Sequence, residues 1–129
     1  MVRGSVIWVA LDPARGAEIP KTRPCVVVSR EIANEVSRTV TVVPLSSLKG
    51  RAAERLVQPI LRAKESRLPK DSRALCDQVR TIDKGRVGST AGVLSGETMR
   101  RVDRGLILHL KLEDYVRTGT NPGFHPDPR

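Results

Sequence analysis

The sequence predicts a mainly-β fold, a small barrel with one late helix packed on it. Three observations predict it. Short β-branched runs recur between proline, glycine and polar stretches, at residues 6–11, 25–28 and 39–45. Helical spacing is sustained only near the C-terminus, through Met99, Val102, Leu106 and Leu110. The length of 129 residues suits one domain able to bury about two-thirds of its unfolded surface.

The first strand is Val6-Ile7-Trp8-Val9-Ala10-Leu11, apolar throughout and closed by Asp12-Pro13, as a well-buried strand should be. Its partner is Cys25-Val26-Val27-Val28. Residues 12–24 between them are too many and too charged for a tight hairpin turn. They read as a functional loop on a rigid sheet, with Arg23 at its foot. Residues 30–38 read as a loop with one helical turn. Thr39-Val40-Thr41-Val42-Val43-Pro44-Leu45 is a third strand ended by its proline, so Ser46 and Ser47 stand at a strand end.

A basic connector at residues 48–54 leads to a strand at residues 55–61, which Pro59 assigns to an edge. Residues 62–72 form a charged turn. Residues 73–81 read as one strand, with Leu75, Asp77 and Val79 on one face and Cys76, Gln78 and Arg80 on the other. The helix opens at Ser95 as N-cap, carries Glu97 in its first turn and runs to about Leu112. Gly105 weakens it by up to ~1 kcal/mol relative to alanine. Glycine, proline and charge dominate from Arg117 onward, so a single domain is expected at residues 1–116 and a disordered tail at 117–129.

Lysine and arginine number 23 against 14 aspartates and glutamates, giving a net charge of +9 and a pI near 10.6. This favours a polyanionic partner such as nucleic acid, although a merely soluble basic surface has the same composition. A membrane-surface role needs a basic amphipathic helix with large apolar anchors, and the C-terminal helix has no aromatic anchor. No apolar run approaches the ~20 residues of a membrane span and the N-terminus has no apolar signal core, so a cytoplasmic location and no membrane partner are expected. Cys25 and Cys76 lie in apolar stretches and read as buried thiols. Two cysteines without a nearby histidine make no zinc site, so neither metal nor cofactor is expected. Trp8, Tyr115 and Phe124 are the only aromatics, too few for a multi-ring stacking platform.

Gly4-x-Val6-Ile7-Trp8-Val9, Leu11-Asp12-Pro13-x-x-Gly16-x-Glu18 and Arg23-Pro24 with the following valines and Ser29 form a first block of motifs. Val42-Val43-Pro44-Leu45-Ser46-Ser47, Leu68-Pro69-Lys70-Asp71-Ser72 and Cys76-Asp77-Gln78-Val79-Arg80-Thr81-Ile82-Asp83 follow in order. In these blocks, over roughly residues 3–112, the chain resembles the MazF/PemK (Kid-like) toxins of type II toxin–antitoxin pairs. The resemblance implies an SH3-like barrel of the MazF/PemK/CcdB type, a homodimer and a cognate antitoxin, whose acidic, partly disordered tail would suit the +9 surface. It also implies an endoribonuclease that cuts single-stranded RNA (mRNA) at a short motif without ribosome or metal. The alternative is a non-catalytic toxin or RNA-binding barrel that grips a protein target, as the similarly folded gyrase poisons do, or RNA.

In the implied reaction the ribose 2′-hydroxyl attacks the adjacent phosphorus, leaving a 2′,3′-cyclic phosphate and a 5′-hydroxyl. It needs a base, positive charge on the non-bridging oxygens and an acid for the leaving oxygen. Arg23 matches the family's catalytic arginine, and its guanidinium can hold two phosphoryl oxygens at once. It is a poor base, since a pKa above ~12 leaves about one molecule in 10⁵ or fewer neutral at pH 7. Ser46 matches the family's hydroxyl after the third strand, with Ser47 as the neighbour in a shifted register. Asp77 matches a carboxylate that some Kid-like relatives use as base, set against an equal structural reading in which it orients Arg23 or pairs with Arg80. Ala17 and Leu75 stand where that subgroup has a histidine and a second arginine, so its Asp-Arg-His mechanism does not carry over whole. RNA contacts are expected from Glu18 in the first loop, from Gln78 as a reader of base edges, and from Lys21 and Arg80 on phosphates. His109 and His125 are remote from these candidates in sequence, which argues against a two-histidine mechanism.

Overall fold

The computed structural model describes residues 1–11, 21–48 and 54–119. Within them the chain forms β1 (Ser5–Ala10), β2 (Thr22–Val27), α1 (Glu31–Val36), β3 (Thr39–Ser47), β4 (Ile60–Leu61) and α2 (Ala63–Ser66). There follow β5 (Ser72–Ala74), β6 (Arg80–Asp83), β7 (Val87–Val93), α3 (Gly96–His109) and α4 (Glu113–Thr118). All pairings are antiparallel, in the order β4-β5-β3-β2-β1-β7, with β6 also paired to β3.

The strands are apolar on both faces because each face feeds a different core. Val6, Val26, Val43 and Leu45 point to one side, where Met99 and Val102 of α3 close over them with Leu61, Leu68 and Leu94. Ile7, Val9, Cys25, Val27, Val40, Val42 and Ile82 pack together on the other side. Fully burying a Val or Ile side chain contributes roughly 1.5–3 kcal/mol, so the central strands anchor everything built at their ends. The mainly-β sheet with a C-terminal helix packed on it is the predicted architecture. Ser95 caps α3 as expected, its hydroxyl accepting from the Thr98 N–H.

β2 begins at Thr22, inside the expected loop, α2 forms within the expected charged turn, and α4 runs to Thr118, into the expected tail. Four further details differ from the sequence reading. β3 continues through Pro44, which lies opposite Cys25 and uses only its carbonyl, accepting from the Leu75 N–H at 2.9 Å. Residues 55–61 are not one strand: a turn closed by an Arg55–Gln58 bridge precedes the two-residue β4. β7, with its glycines and polar residues, carries no apolar signal in sequence, yet it pairs along β1. The fourth concerns residues 73–81, which split into β5, a 3₁₀ turn at Cys76–Gln78, and β6. Both strands pair with β3, but Leu45↔Ala74 sums to 119 and Val42↔Arg80 to 122, so three extra residues are looped out between them. The turn is seated on α3: the Cys76 thiol donates to the Val102 carbonyl, and Gly105 leaves room for it. The predicted alternation of faces therefore breaks at Cys76.

The segment between β4 and β5 is fixed at both ends. At α2, Glu65 accepts from the Ser95 N–H at 2.6 Å and from the Thr98 hydroxyl at 2.7 Å, tying it to the start of α3. Gly92 of β7 admits the end of α2 closely, since a Cβ there would meet the Arg67 Cγ at 2.8 Å and the Ser66 carbonyl at 3.0 Å. Toward β5, Asp71 accepts from the Ala63 N–H at 2.8 Å and from Arg62 at 3.0 Å.

Partial desolvation opposes ionisation of Glu65, but the hydrogen bonds from Ser95 and Thr98, helped by the Arg101 charge, hold its carboxyl below the usual value. A depressed carboxyl contributes stability above its unfolded pKa and loses it as pH falls through the folded one. Glu65→Gln is therefore expected to melt below the wild type at pH 7, with the gap narrowing below about pH 4. Melting curves at pH 7 and pH 3 check this, and a gap independent of pH would contradict it.

Candidate active site

The β2–β3 ladder runs Val27↔Val42, Val26↔Val43, Cys25↔Pro44. Extending that register by two residues sets Arg23 opposite Ser46, where the two strand ends run out to solvent. By the period of two, Arg23 continues the face of Cys25 and Val27, and Ser46 that of Val40 and Val42. A buried apolar ladder thus aims one guanidinium and one hydroxyl at the same place. Both residues are exposed, and among the described residues neither side chain has a hydrogen-bond or ion-pair partner.

Two clefts meet at this pair. The larger, about 590 Å³, is walled by Trp8, Pro24, Leu45, Leu68 and Pro69, with Lys21, Thr22, Ser47, Lys70 and Ser72 around them. The smaller, about 460 Å³, is bounded by Leu11, Pro44, Leu75, Gln78 and Arg80. Arg23, Leu45 and Ser46 line both. Among the described residues the combined lining holds four cations, Lys21, Arg23, Lys70 and Arg80, and no carboxylate. Such a surface attracts an anion and gives it several donors.

Cys25 lies beneath the pair, buried, its thiol donating to the Arg23 carbonyl at 3.9 Å. Burial pushes this thiol up to about 12, outweighing the opposite pull of Arg80 and Arg23. Burial, reinforced by Asp77 and Asp103, also takes Cys76 to about 12. Both remain protonated at neutral pH and are core hydrophobes, not nucleophiles.

The structure brings together Lys21, Arg23, Ser46, Ser47, Gln78 and Arg80 among the residues singled out in sequence. Asp77 lines neither cleft: the looped-out turn carries it away, exposed, where its carboxylate accepts from the Gln58 amide at 3.0 Å. Glu18 and Ala17 lie outside the described residues, as does His125, and His109 ends α3 away from both linings. Leu75, expected on the face opposite Gln78 and Arg80, shares a cleft with them. Trp8, Lys70 and Ser72 received no role from sequence. The period of two does set Trp8 opposite Ile7, Val9 and Leu11, and Lys70 falls within a recognised motif block, but only the fold unites them.

The sequence matches the family described as PemK-like, MazF-like toxin of type II toxin–antitoxin systems over residues 2–110. The chain belongs to that family. It is 36% identical over 117 residues to endoribonuclease MazF9 of Mycobacterium tuberculosis, covering 87% of this chain and 98% of that protein. The fold is similar to MazF in a MazE–MazF complex from Deinococcus radiodurans, with a TM-score of 0.71 at 22% identity over 87% of this chain and 96% of the other. It is also similar to an endoribonuclease in complex with its cognate antitoxin from a Mycobacterial species, with a TM-score of 0.68 at 20% identity, covering 87% and 96%. The mainly-β sheet capped by α3 is thus the MazF toxin fold, with the Arg23–Ser46 pair at the open end of its central strands. No helix among the described residues is long and apolar enough to cross a membrane.

Proposed function

We propose that this MazF-family chain is a cytoplasmic toxin endoribonuclease that cuts single-stranded RNA at a short motif without metal, and that a cognate antitoxin neutralises it. The observation that carries the reading is the cross-strand pair Arg23 and Ser46 on the wall shared by two cation-lined clefts. A phosphodiester held there meets a fork able to engage both non-bridging oxygens and a hydroxyl able to donate to the phosphate or relay a proton. The 2′-hydroxyl attacks in line, the guanidinium stabilises the growing charge, and the products are a 2′,3′-cyclic phosphate and a 5′-hydroxyl. Lys21 and Arg80 hold flanking phosphates, while Gln78 and Ser47 present donors and acceptors to base edges. The expected assembly is a homodimer, and the +9 charge suits an acidic antitoxin segment.

Asp77 takes a narrower role in this proposal. Bound to Gln58 and outside both linings, it supports a structural role of another kind than orienting Arg23 or pairing with Arg80: holding the 76–78 turn, and with it Gln78, in position. Asp77→Asn keeps an acceptor for Gln58 and is expected to retain most of the cleavage rate. Loss of a general base costs about 10²–10⁴, and a fall of that size in single-turnover cleavage would return Asp77 to that role.

The decisive experiment incubates the protein, free of antitoxin, with a long mixed-sequence RNA in excess EDTA, mapping cut positions and end chemistry. Cuts at a recurring motif with 5′-hydroxyl ends are expected. Intact RNA in the presence of folded protein would overturn the nuclease reading.

A further inference from the structure

The two clefts that meet at Arg23 and Ser46 differ in chemistry. The larger has apolar walls that include the half-buried Trp8, Leu68 and Pro69, and the exposed Lys70 lines it as well. Among the described residues its uncharged polar side chains are short hydroxyls, those of Thr22, Ser46, Ser47 and Ser72, and that of Ser72 is already engaged with the Lys70 carbonyl at 3.3 Å. The smaller cleft carries Gln78 and Arg80, long side chains with several directed polar groups. An indole meets the π-face of any base, whereas the amide of Gln78, with both a donor and an acceptor, discriminates among base edges.

We propose that the larger cleft is a sequence-tolerant grip: it stacks one nucleotide beside the scissile phosphate on Trp8 and holds that nucleotide's phosphate with Lys70, leaving base selection to the smaller cleft. The proposal rests on the RNA-cleaving reading above. Three features support it. Lys70 is exposed and its ammonium has no partner among the described residues, so its charge is free for a ligand. Its backbone is nevertheless held, because Glu65 and Asp71 pin the segment on both sides and the Leu48 N–H donates to the Asp71 carbonyl at 3.0 Å, tying it to the end of β3. Trp8 is fixed in turn by its place in β1 opposite Pro24 and by packing against the core beneath α3. A ring fixed in the sheet and a lysine on an anchored backbone leave mainly the lysine side chain to be ordered on binding, which lowers the ordering cost.

Trp8 is the only tryptophan in the chain, so its fluorescence reports this cleft directly. Short RNAs spanning the mapped cut site, made uncleavable by a 2′-deoxy nucleotide at the scissile position, are titrated into the protein with each of the four bases at every flanking position. Saturable change in Trp8 emission is expected, with near-equal affinity for all four bases at the gripped position. Lys70→Ala should weaken binding several-fold for every sequence and lower the slope of log affinity against log salt by about 0.7, the value for one phosphate contact on a single strand. Gln78→Ala should instead relax the preference at one position. Bound RNA that leaves Trp8 emission unmoved, or Lys70→Ala changing the preference at a single position, would overturn the grip. Cleavage with a silent Trp8 sinks this inference alone, whereas the absence of any cleavage by the wild type sinks the nuclease reading and, with it, a grip beside a scissile phosphate.

Discussion

Arg23→Ala is expected to cut RNA about 10²–10³-fold more slowly than the wild type in single-turnover assays while melting at the same temperature. The two halves of this result follow from different observations. Arg23 is exposed at the end of β2 and its side chain has no partner among the described residues, so its removal leaves no buried group unsatisfied. The rate falls because a preorganised donor is lost from the place where the phosphoryl oxygens gain charge. Arg23→Lys separates charge from geometry: an ammonium keeps the charge but cannot span two oxygens, so its rate should lie between the two. Equal activity in the alanine variant would remove Arg23 from the chemistry, and a lowered melting temperature would show that it supports the fold instead.

Gly105→Ala should destabilise the protein, although helix propensity alone predicts a gain of up to ~1 kcal/mol. A Cβ at this point of α3 would lie 2.7 Å from the Cys76 sulfur and 3.1 Å from the Leu56 carbonyl. Cys76 is fully buried and hydrogen-bonded to the Val102 carbonyl, and Leu56 offers backbone, so neither can move aside freely. Overpacking of this kind costs about 1–3 kcal/mol, which leaves a net loss of up to about 2 kcal/mol. Adding Cys76→Ala should recover part of it by removing the sulfur, a coupling that thermal melts of the single and double variants measure. Gly105→Ala melting above the wild type would show that propensity, and not the seat for the 76–78 turn, governs this position. Since that turn carries Gln78 to the smaller cleft, the variant should also alter cleavage preference without touching RNA.

The apolar runs 6–11, 25–28 and 39–45 were legible as strands because their β-branched residues satisfy two cores at once, a property of the residues themselves, whereas residues 22–24, read as loop, extend β2 only by pairing with β1. α3 was legible for the same kind of reason, through its Ser95 cap and its apolar spacing. Arg23 and Ser46 were legible as candidates because each stands where an apolar strand gives way to polar residues, and because the motif blocks carry them in order. Strand ends are read locally, but the partners of those ends are not. Residues 73–81 looked like one strand because an alternating polar pattern does not record a three-residue loop-out. That loop-out exists because Cys76 and Gly105 fit together, a contact between positions 29 residues apart by number. β7 was invisible because pairing with β1, and not its own glycine-rich sequence, makes it a strand. The sequence by itself determined the mainly-β class, the capped helix and the basic character, which depend on local patterning, and the Arg23–Ser46 candidates, which its family resemblance implied. Only the tertiary structure decided that Asp77 turns away, that Leu75 joins Gln78 and Arg80, and that Trp8 and Lys70 build a second cleft, since each depends on which distant backbone segments pack against one another.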